Sequence, residues 1–267
     1  MIDTHVHTSL CNHAQGAMEA YVRRAVDMGF KEICFLDHLT FRGGVHKPGH
    51  GLSMVPGEVP LYFQAVQRLK HQKKGIIDIK AGVEIDFNPA YTDLFLDILG
   101  TFAFDVVGCS LHFPGEINIV SSGSAWKDGK MDADDVYGLY FEQFEKMLDY
   151  DYFDVICHLD LVKKFGQKPS LSFDDALDNI LSKIVEKDLT VEINTSGYDH
   201  AAREVYPSPD IIHQCYKKGI RITLGSDAHR PENIGRHYDR AIPMLRSAGY
   251  KYLTTFTRRK RSIIAIV

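Results

Sequence analysis

The sequence predicts an α/β fold in which seven parallel strands are covered by helices, and three observations carry that prediction. Short apolar runs rich in Val, Ile and Phe alternate with longer stretches of helical period. The short runs are apolar almost throughout, as strands buried on both faces must be. Glycines at 29, 75, 219 and 249 close several of the helical stretches, where a left-handed C-terminal residue is needed. Such a pattern fits either an open, doubly wound sheet or a closed barrel. No Pro/Gly/Ser-rich linker and no internal repeat interrupts it, so one domain over residues 1–267 is expected.

In chain order, strand 1–5 leads to helix 18–28, and strand 32–36 leads to helix 59–74. Strand 77–85 precedes helix 91–102, and strand 105–111 precedes helix 132–150. Strand 153–157 is followed by helix 173–187, and strand 190–194 by helix 209–218. Strand 221–225 is followed by helix 242–248, closed by Gly249, and residues 250–256 can add a further strand. The long irregular stretches are 39–57, 113–131 and 195–208. All three follow strands, so in a barrel they lie over the C-terminal mouth, where substrate loops belong. The basic run 258–261 reads as a solvated surface patch.

Composition excludes several function classes. The chain is 45% hydrophobic and 25% charged, which fits neither disorder nor a fibre. Its net charge is 31 − 35 = −4, with no long block of one sign, so neither nucleic acid nor a membrane surface is an expected partner. No apolar run approaches the roughly 18 residues that cross a bilayer, and no leader pattern opens the chain, so a cytoplasmic location is expected. Five cysteines, at 11, 34, 109, 157 and 215, are odd in number and not closely paired; they read as reduced core thiols. Nothing here sets the oligomeric state.

Histidine placement carries the functional signal. His5 and His7 end the first run, Asp37 and His38 follow the second, and Glu84 lies near the end of the third. His112 closes the fourth, His158 the fifth, and Asp227 with His229 follow the seventh, while His13 sits in the first loop. Every run except the sixth delivers such a residue at its C-terminal end, where an α/β barrel gathers its active site. In an extended chain His-x-His puts both imidazoles on one face, and Asp-x-His at 227 and 229 repeats the spacing. Imidazole and carboxylate donors together suit Zn, Mn or Fe, and a carboxylate can bridge two ions, so more than one metal is expected. His46, His50, His71, His200, His213 and His237 lack this placement, although His50 and His200 fall in mouth loops.

These residues resemble the polymerase and histidinol phosphatase (PHP) superfamily over essentially the whole chain. The resemblance runs through Asp3-Thr-His5-Val-His7-Thr, His13, Leu36-Asp37-His38, Glu84, His112, His158 and Gly225-Ser-Asp227-Ala-His229. Cys11-Asn12-His13-Ala14, Cys157-His158-Leu-Asp160, Glu192-Ile-Asn194-Thr-Ser-Gly197 and Tyr206-Pro-Ser-Pro209 are similar to its histidinol-phosphatase branch. The resemblance implies a distorted seven-stranded (β/α)7 TIM-like barrel with three divalent ions that hydrolyses a small phosphate monoester, in this branch L-histidinol phosphate of histidine biosynthesis. One ion would take His5, His7, Glu84 and Asp227; a second, Glu84, His112 and His158; a third, His13, His38 and His229. A water activated between the ions would attack phosphorus.

Arg203 and Arg230 are candidates to grip phosphate, since a guanidinium matches two phosphate oxygens, and Lys163 or Lys164 can assist. Asp37 and Arg203 are the catalytic candidates; Asp37 either positions His38 or lines the metal site, and Asp160 is a comparable supporting acid. Asp86, Glu116, Trp126, Tyr198 and Asp199 are candidates to read the rest of the substrate. Three alternatives stand: a family phosphoesterase acting on a nucleotide, sugar phosphate or phosphotyrosine; an amidohydrolase; and a non-catalytic module of the same fold.

Overall fold

A computed structural model of the chain describes residues 1–42 and 51–266. Seven strands form one parallel sheet in chain order: β1 (Ile2–Val6), β2 (Glu32–Leu39), β3 (Asp78–Asp86), β4 (Val106–Ser110), β5 (Val155–Ile156), β6 (Thr190–Asn194) and β7 (Arg221–Gly225). The helices between them are α1 (Met18–Asp27), α2 (Val59–Gln72), α3 (Thr92–Thr101), α4 (Ala133–Met147), α5 (Asp174–Glu186), α6 (Pro209–Lys217) and α7 (Tyr238–Ser247). The sheet nearly closes on itself. Beyond the ends of β1 and β7, His7 N–H donates to the Ala228 carbonyl at 3.0 Å, and Ala228 N–H donates to the His5 carbonyl at 3.2 Å. The chain is therefore a distorted (β/α)7 barrel, the closed alternative of the two that the pattern permits.

The strands are buried on both faces, which is why they read as apolar runs rather than alternating ones. Helix starts follow their capping residues: Asp132 accepts from the Asp134 and Asp135 N–H groups at α4, and Ser208 precedes Pro209 at α6. Several boundaries shift by one to four residues from the sequence reading, and two of the shifts bear on the site and the core. Helix α7 begins four residues earlier than expected and carries Pro243 inside, because Tyr238, Ala241 and Leu245 keep its inner face buried while proline removes a single donor. β2 runs through to Leu39, which takes Asp37 and His38 into the strand.

The last segment is not an eighth barrel strand. β8 (Tyr252–Thr257) pairs antiparallel with β9 (Lys260–Ala265), and this hairpin closes the N-terminal end of the barrel. Phe256 packs with Cys34, Leu36, Val106, Val155 and Cys157. Arg258 and Arg259 form the turn at positive φ, and Arg259 Nε donates to Asp154 at 2.6 Å, so the basic run ties the hairpin to the barrel floor. All five cysteines are buried and unpaired. No helix among the described residues is long and apolar enough to cross a membrane.

Candidate metal centre

Strand geometry brings the nine predicted donors to the barrel mouth. His5 and His7 flank Val6, which turns into the core, so both imidazoles share one side. In the β2–β3 ladder His38 stands directly beside Glu84. His112 lies just past β4, and His158 follows β5 at a φ of 29°. Asp227 follows β7 at a φ of 53°, a conformation that costs energy for a residue with a Cβ and persists only where neighbours hold it. Here they do. Asp3 accepts from Ser226 N–H at 2.9 Å and Ser226 Oγ at 2.5 Å, and Arg236 donates to the Ser226 and Asp227 carbonyls at 2.7 and 2.8 Å.

Glu84 is fully buried at the centre of the cluster. Its Oε1 lies 2.8 Å from His158 Nε2 and 3.7 Å from His112 Nε2. Its Oε2 lies 2.7 Å from His38 Nδ1, 3.4 Å from His5 Nε2 and 3.8 Å from His7 Nε2. Asp227 Oδ1 is 3.0 Å from His7 Nε2 and 3.4 Å from His229 Nδ1. Yet His5 Nε2, His7 Nε2, His38 Nδ1 and Glu84 Oε2 are all buried and none makes an aligned hydrogen bond. Orphaned buried polar atoms are rare in folded proteins, and four converging on one point mark a place for a cation.

The outward nitrogens explain which way the rings present themselves. His13 Nδ1 faces the Cys11 carbonyl at 2.7 Å, and His229 Nδ1 faces the Asp227 carbonyl at 3.0 Å. A carbonyl only accepts, so both protons sit on Nδ1 and both Nε2 atoms carry bare lone pairs. Those two Nε2 atoms face each other at 2.8 Å. Without a positive charge between them the arrangement is repulsive. Carboxylates do the same work behind three other rings: Glu192 Oε1 lies 2.7 Å from His5 Nδ1, Asp86 Oδ1 3.3 Å from His112 Nδ1, and Asp37 Oδ1 3.4 Å from His7 Nδ1.

The electrostatics agree. Burial pushes His13 and His229 down to about 3, helped by His38 and His229 in the first case and by His7 in the second, so these rings are neutral and free to donate lone pairs. Burial also takes His7 and His112 below the ordinary histidine value. For Glu84 and Asp227 burial alone would favour the acid form. The imidazoles of His38, His5 and His112 around Glu84, and of His5, His7 and His229 around Asp227, override it and hold both well below the carboxylate range. Within this cluster the donor atoms of His5, His7 and Glu84, and those of His7, His38 and His229, lie within 4.8 Å of one another. Glu192 and Glu84 beside His5, and Glu84 beside His38, override burial and raise these two rings above the ordinary value. Imidazoles around ionised carboxylates form a donor set that fits Zn, Mn or Fe.

A cavity of about 310 Å³ opens onto the cluster, lined by His13, His38, His112, His158, Asp227 and His229 together with Ser121, Ser122, Lys164, Ser196 and His200. A larger one, about 540 Å³, lies across Phe113 and contains none of these histidines. The predicted phosphate and catalytic residues distribute unevenly. Arg203 and Arg230 are exposed and outside the lining of the cluster's cavity. Lys163 is turned away, bound to Asp160 at 2.7 Å, Glu204 at 2.8 Å and the Val205 carbonyl at 3.0 Å; its neighbour Lys164 reaches the cavity instead. Asp37 sits behind His7, accepting from the Thr8 hydroxyl, Thr8 N–H and His38 N–H, and does not line the cavity.

The residues expected to read the rest of the substrate are mostly occupied. Trp126 is buried and donates to the Val162 carbonyl, Asp199 pairs with Arg236 and His237, Arg240 lies over Tyr198, and Glu116 pairs with Arg42. Asp160 anchors Lys163 and the Ser208 N–H. His46 and His50 lie outside the described residues. Glu192 and Asp86 are the functional-site residues that strand-end reading did not place behind a ligand. The signal available for Glu192 was a carboxylate between Val191 and Ile193 in the middle of a fully buried strand.

The PHP domain family model matches residues 3–196. A probable histidinol-phosphatase of Deinococcus radiodurans is 31% identical, covering 97% of this chain and 98% of that protein. A histidinol-phosphatase of Lactococcus lactis is 26% identical over 97% of this chain and 95% of that protein. Among solved structures, the histidinol phosphate phosphatase of Lactococcus lactis, crystallised with zinc, L-histidinol and phosphate, superposes with a TM-score of 0.82 at 25% identity, covering 98% of both chains.

Proposed function

The chain belongs to the PHP domain family, and we propose that it is a metal-dependent phosphomonoesterase converting L-histidinol phosphate and water to L-histidinol and phosphate. The substrate reading is supported by near full-length similarity to histidinol-phosphatases and by similarity to a fold that binds zinc, L-histidinol and phosphate in a relative. In this reading residues 1–267 act as one catalytic domain, and five unpaired thiols suit the reducing cytoplasm.

The observation that carries the metal reading is the pair of bare Nε2 atoms of His13 and His229, 2.8 Å apart. Three ions of Zn, Mn or Fe are assigned: one to His5, His7, Glu84 and Asp227, one to Glu84, His112 and His158, and one to His13, His38 and His229. When bound, such ions lower the pKa of a coordinated water towards about 7 and offset phosphate charge.

The chain's own residues do the rest. Glu84 and Asp227 stay ionised and space the positive charge. Lys164 is half-buried in the cavity wall and forms no ion pair among the described residues, so its ammonium is free for a phosphate oxygen. Ser121, Ser122 and Ser196 add hydroxyl donors, and His200, pushed down to about 4 by burial and Lys164, stays neutral beside the substrate. Arg203 and Arg230, exposed and outside the cavity lining, rank behind Lys164 as phosphate-binding residues.

The test is phosphate release from L-histidinol phosphate, p-nitrophenyl phosphate and a nucleoside monophosphate by Mn- or Zn-loaded protein. A kcat/KM of about 10⁴ M⁻¹s⁻¹ or more for histidinol phosphate, at least tenfold above the others, supports the reading. Equal slow turnover of all three removes the substrate assignment, and no turnover of any removes the enzyme.

A further inference from the structure

We propose that Glu192, on the one strand of the seven-stranded barrel that supplies none of the nine donors, is the positioning residue that holds the His5 ring with Nε2 aimed at the metal site and thereby sets metal affinity. This rests on the metal reading above and adds to it a residue and a role.

Glu192 is 1% exposed, inside the barrel beneath the cluster. Oε1 accepts from His5 Nδ1–H at 2.7 Å. Oε2 accepts from the His158 backbone N–H at 3.0 Å and from the Asn194 amide at 3.2 Å. Three donors on two oxygens require a carboxylate, because an amide or a protonated acid replaces one acceptor by a donor. One side chain thus orients the ring of one proposed ligand and the backbone of another. Asn194 extends the link: the same amide reaches Asp227 Oδ2 at 3.3 Å.

Gly225 makes room for this arrangement. A Cβ at that position would overlap Glu192 Oε1 and come within 2.6 Å of the His5 Cβ. Its φ is not in the left-handed region, so turn geometry does not demand the glycine. Space for the Glu192–His5 contact does. The comparable contacts of His7 with Asp37 and His112 with Asp86 are longer, at 3.4 and 3.3 Å.

The experiment titrates chelator-stripped protein with zinc against a chromophoric chelator and records the Tm of the zinc-free state. For Glu192→Gln we expect 10- to 100-fold weaker zinc binding at the affected site, with the zinc-free Tm within a few degrees of wild type. In a His5→Asn background the same substitution is expected to cost several-fold less zinc affinity than in wild type, because only the His158 and Asn194 contacts are then left to lose. Gly225→Ala, which displaces the same carboxylate, is expected to weaken zinc binding in the same sense. Wild-type protein that binds no zinc overturns the metal reading itself. Wild-type binding with Glu192→Gln unchanged, or an undiminished loss in the His5→Asn background, overturns only the role of Glu192. Collapse of both single variants without zinc assigns Glu192 to folding and overturns the proposal too.

Discussion

Replacing Glu84 by Gln preserves its volume and removes one negative charge from a point that five imidazoles approach within 3.8 Å. The carboxylate is fully buried, so solvent cannot substitute for it. Removing one partner of a buried charged set costs about 3–5 kcal/mol. At about 1.4 kcal/mol per decade this is roughly 10²- to several 10³-fold in cation affinity. Both ions assigned to Glu84 are expected to weaken, whereas the ion assigned to His13, His38 and His229 takes no donor from Glu84 itself and is expected to weaken less, since of its three rings only His38 pairs with Glu84. Competition titration of stripped protein with zinc reads the number of tight sites and the affinity of each, and turnover of L-histidinol phosphate is followed in parallel. The expected outcome is a loss of tight sites with at least one retained, and kcat lower by about 10² or more. Unchanged stoichiometry, affinity and turnover in the variant would refute the shared-carboxylate centre.

Lys164→Ala is expected to lower kcat/KM by about tenfold or more with zinc content unchanged, whereas Lys163→Ala is expected to leave zinc content and kcat/KM near wild type and act on stability alone; the reverse pattern in steady-state kinetics contradicts the placement of the two side chains. The metal-free protein is expected to lose stability in acid. His13 and His229 fall from near 6.5 to about 3 on folding, so the unfolded chain binds more protons between those values and stability declines as pH drops below about 6.5. The depressed Glu84 and Asp227 act in the same direction at lower pH, while the raised His5 and His38 lose their contribution only as pH rises. Thermal melts of stripped protein from pH 7 to pH 4 check the sign; a Tm that rises over that range contradicts it.

The barrel and the donor set are readable in the sequence for the same reason: strands buried on both faces lose alternation, and polar residues at their ends then stand out. Glu84 beside His38 needs only strand register. What the pattern does not reveal depends on contacts between distant segments. Glu192 meets His5 across the barrel, and the reason for Gly225 is visible only once both side chains are in place. Lys163 and Lys164 are adjacent in the chain, and a short helical turn over Leu161–Lys163 decides that the first meets Glu204 and the second the cavity. Asp37 follows the β2 alternation and turns behind His7, opposite to His38. The Arg258–Arg261 run reads as surface charge because its acidic partners, Asp154 and Asp188, lie on other loops.

The most direct test of a metal centre that hydrolyses L-histidinol phosphate is phosphate release by the same preparation before chelation, after chelation and after reloading with Zn or Mn. Activity that disappears with the ions and returns in proportion to the ions rebound, with full recovery only when every site is filled, is the predicted result. Undiminished activity in the stripped protein, or none after its sites are refilled, would contradict it.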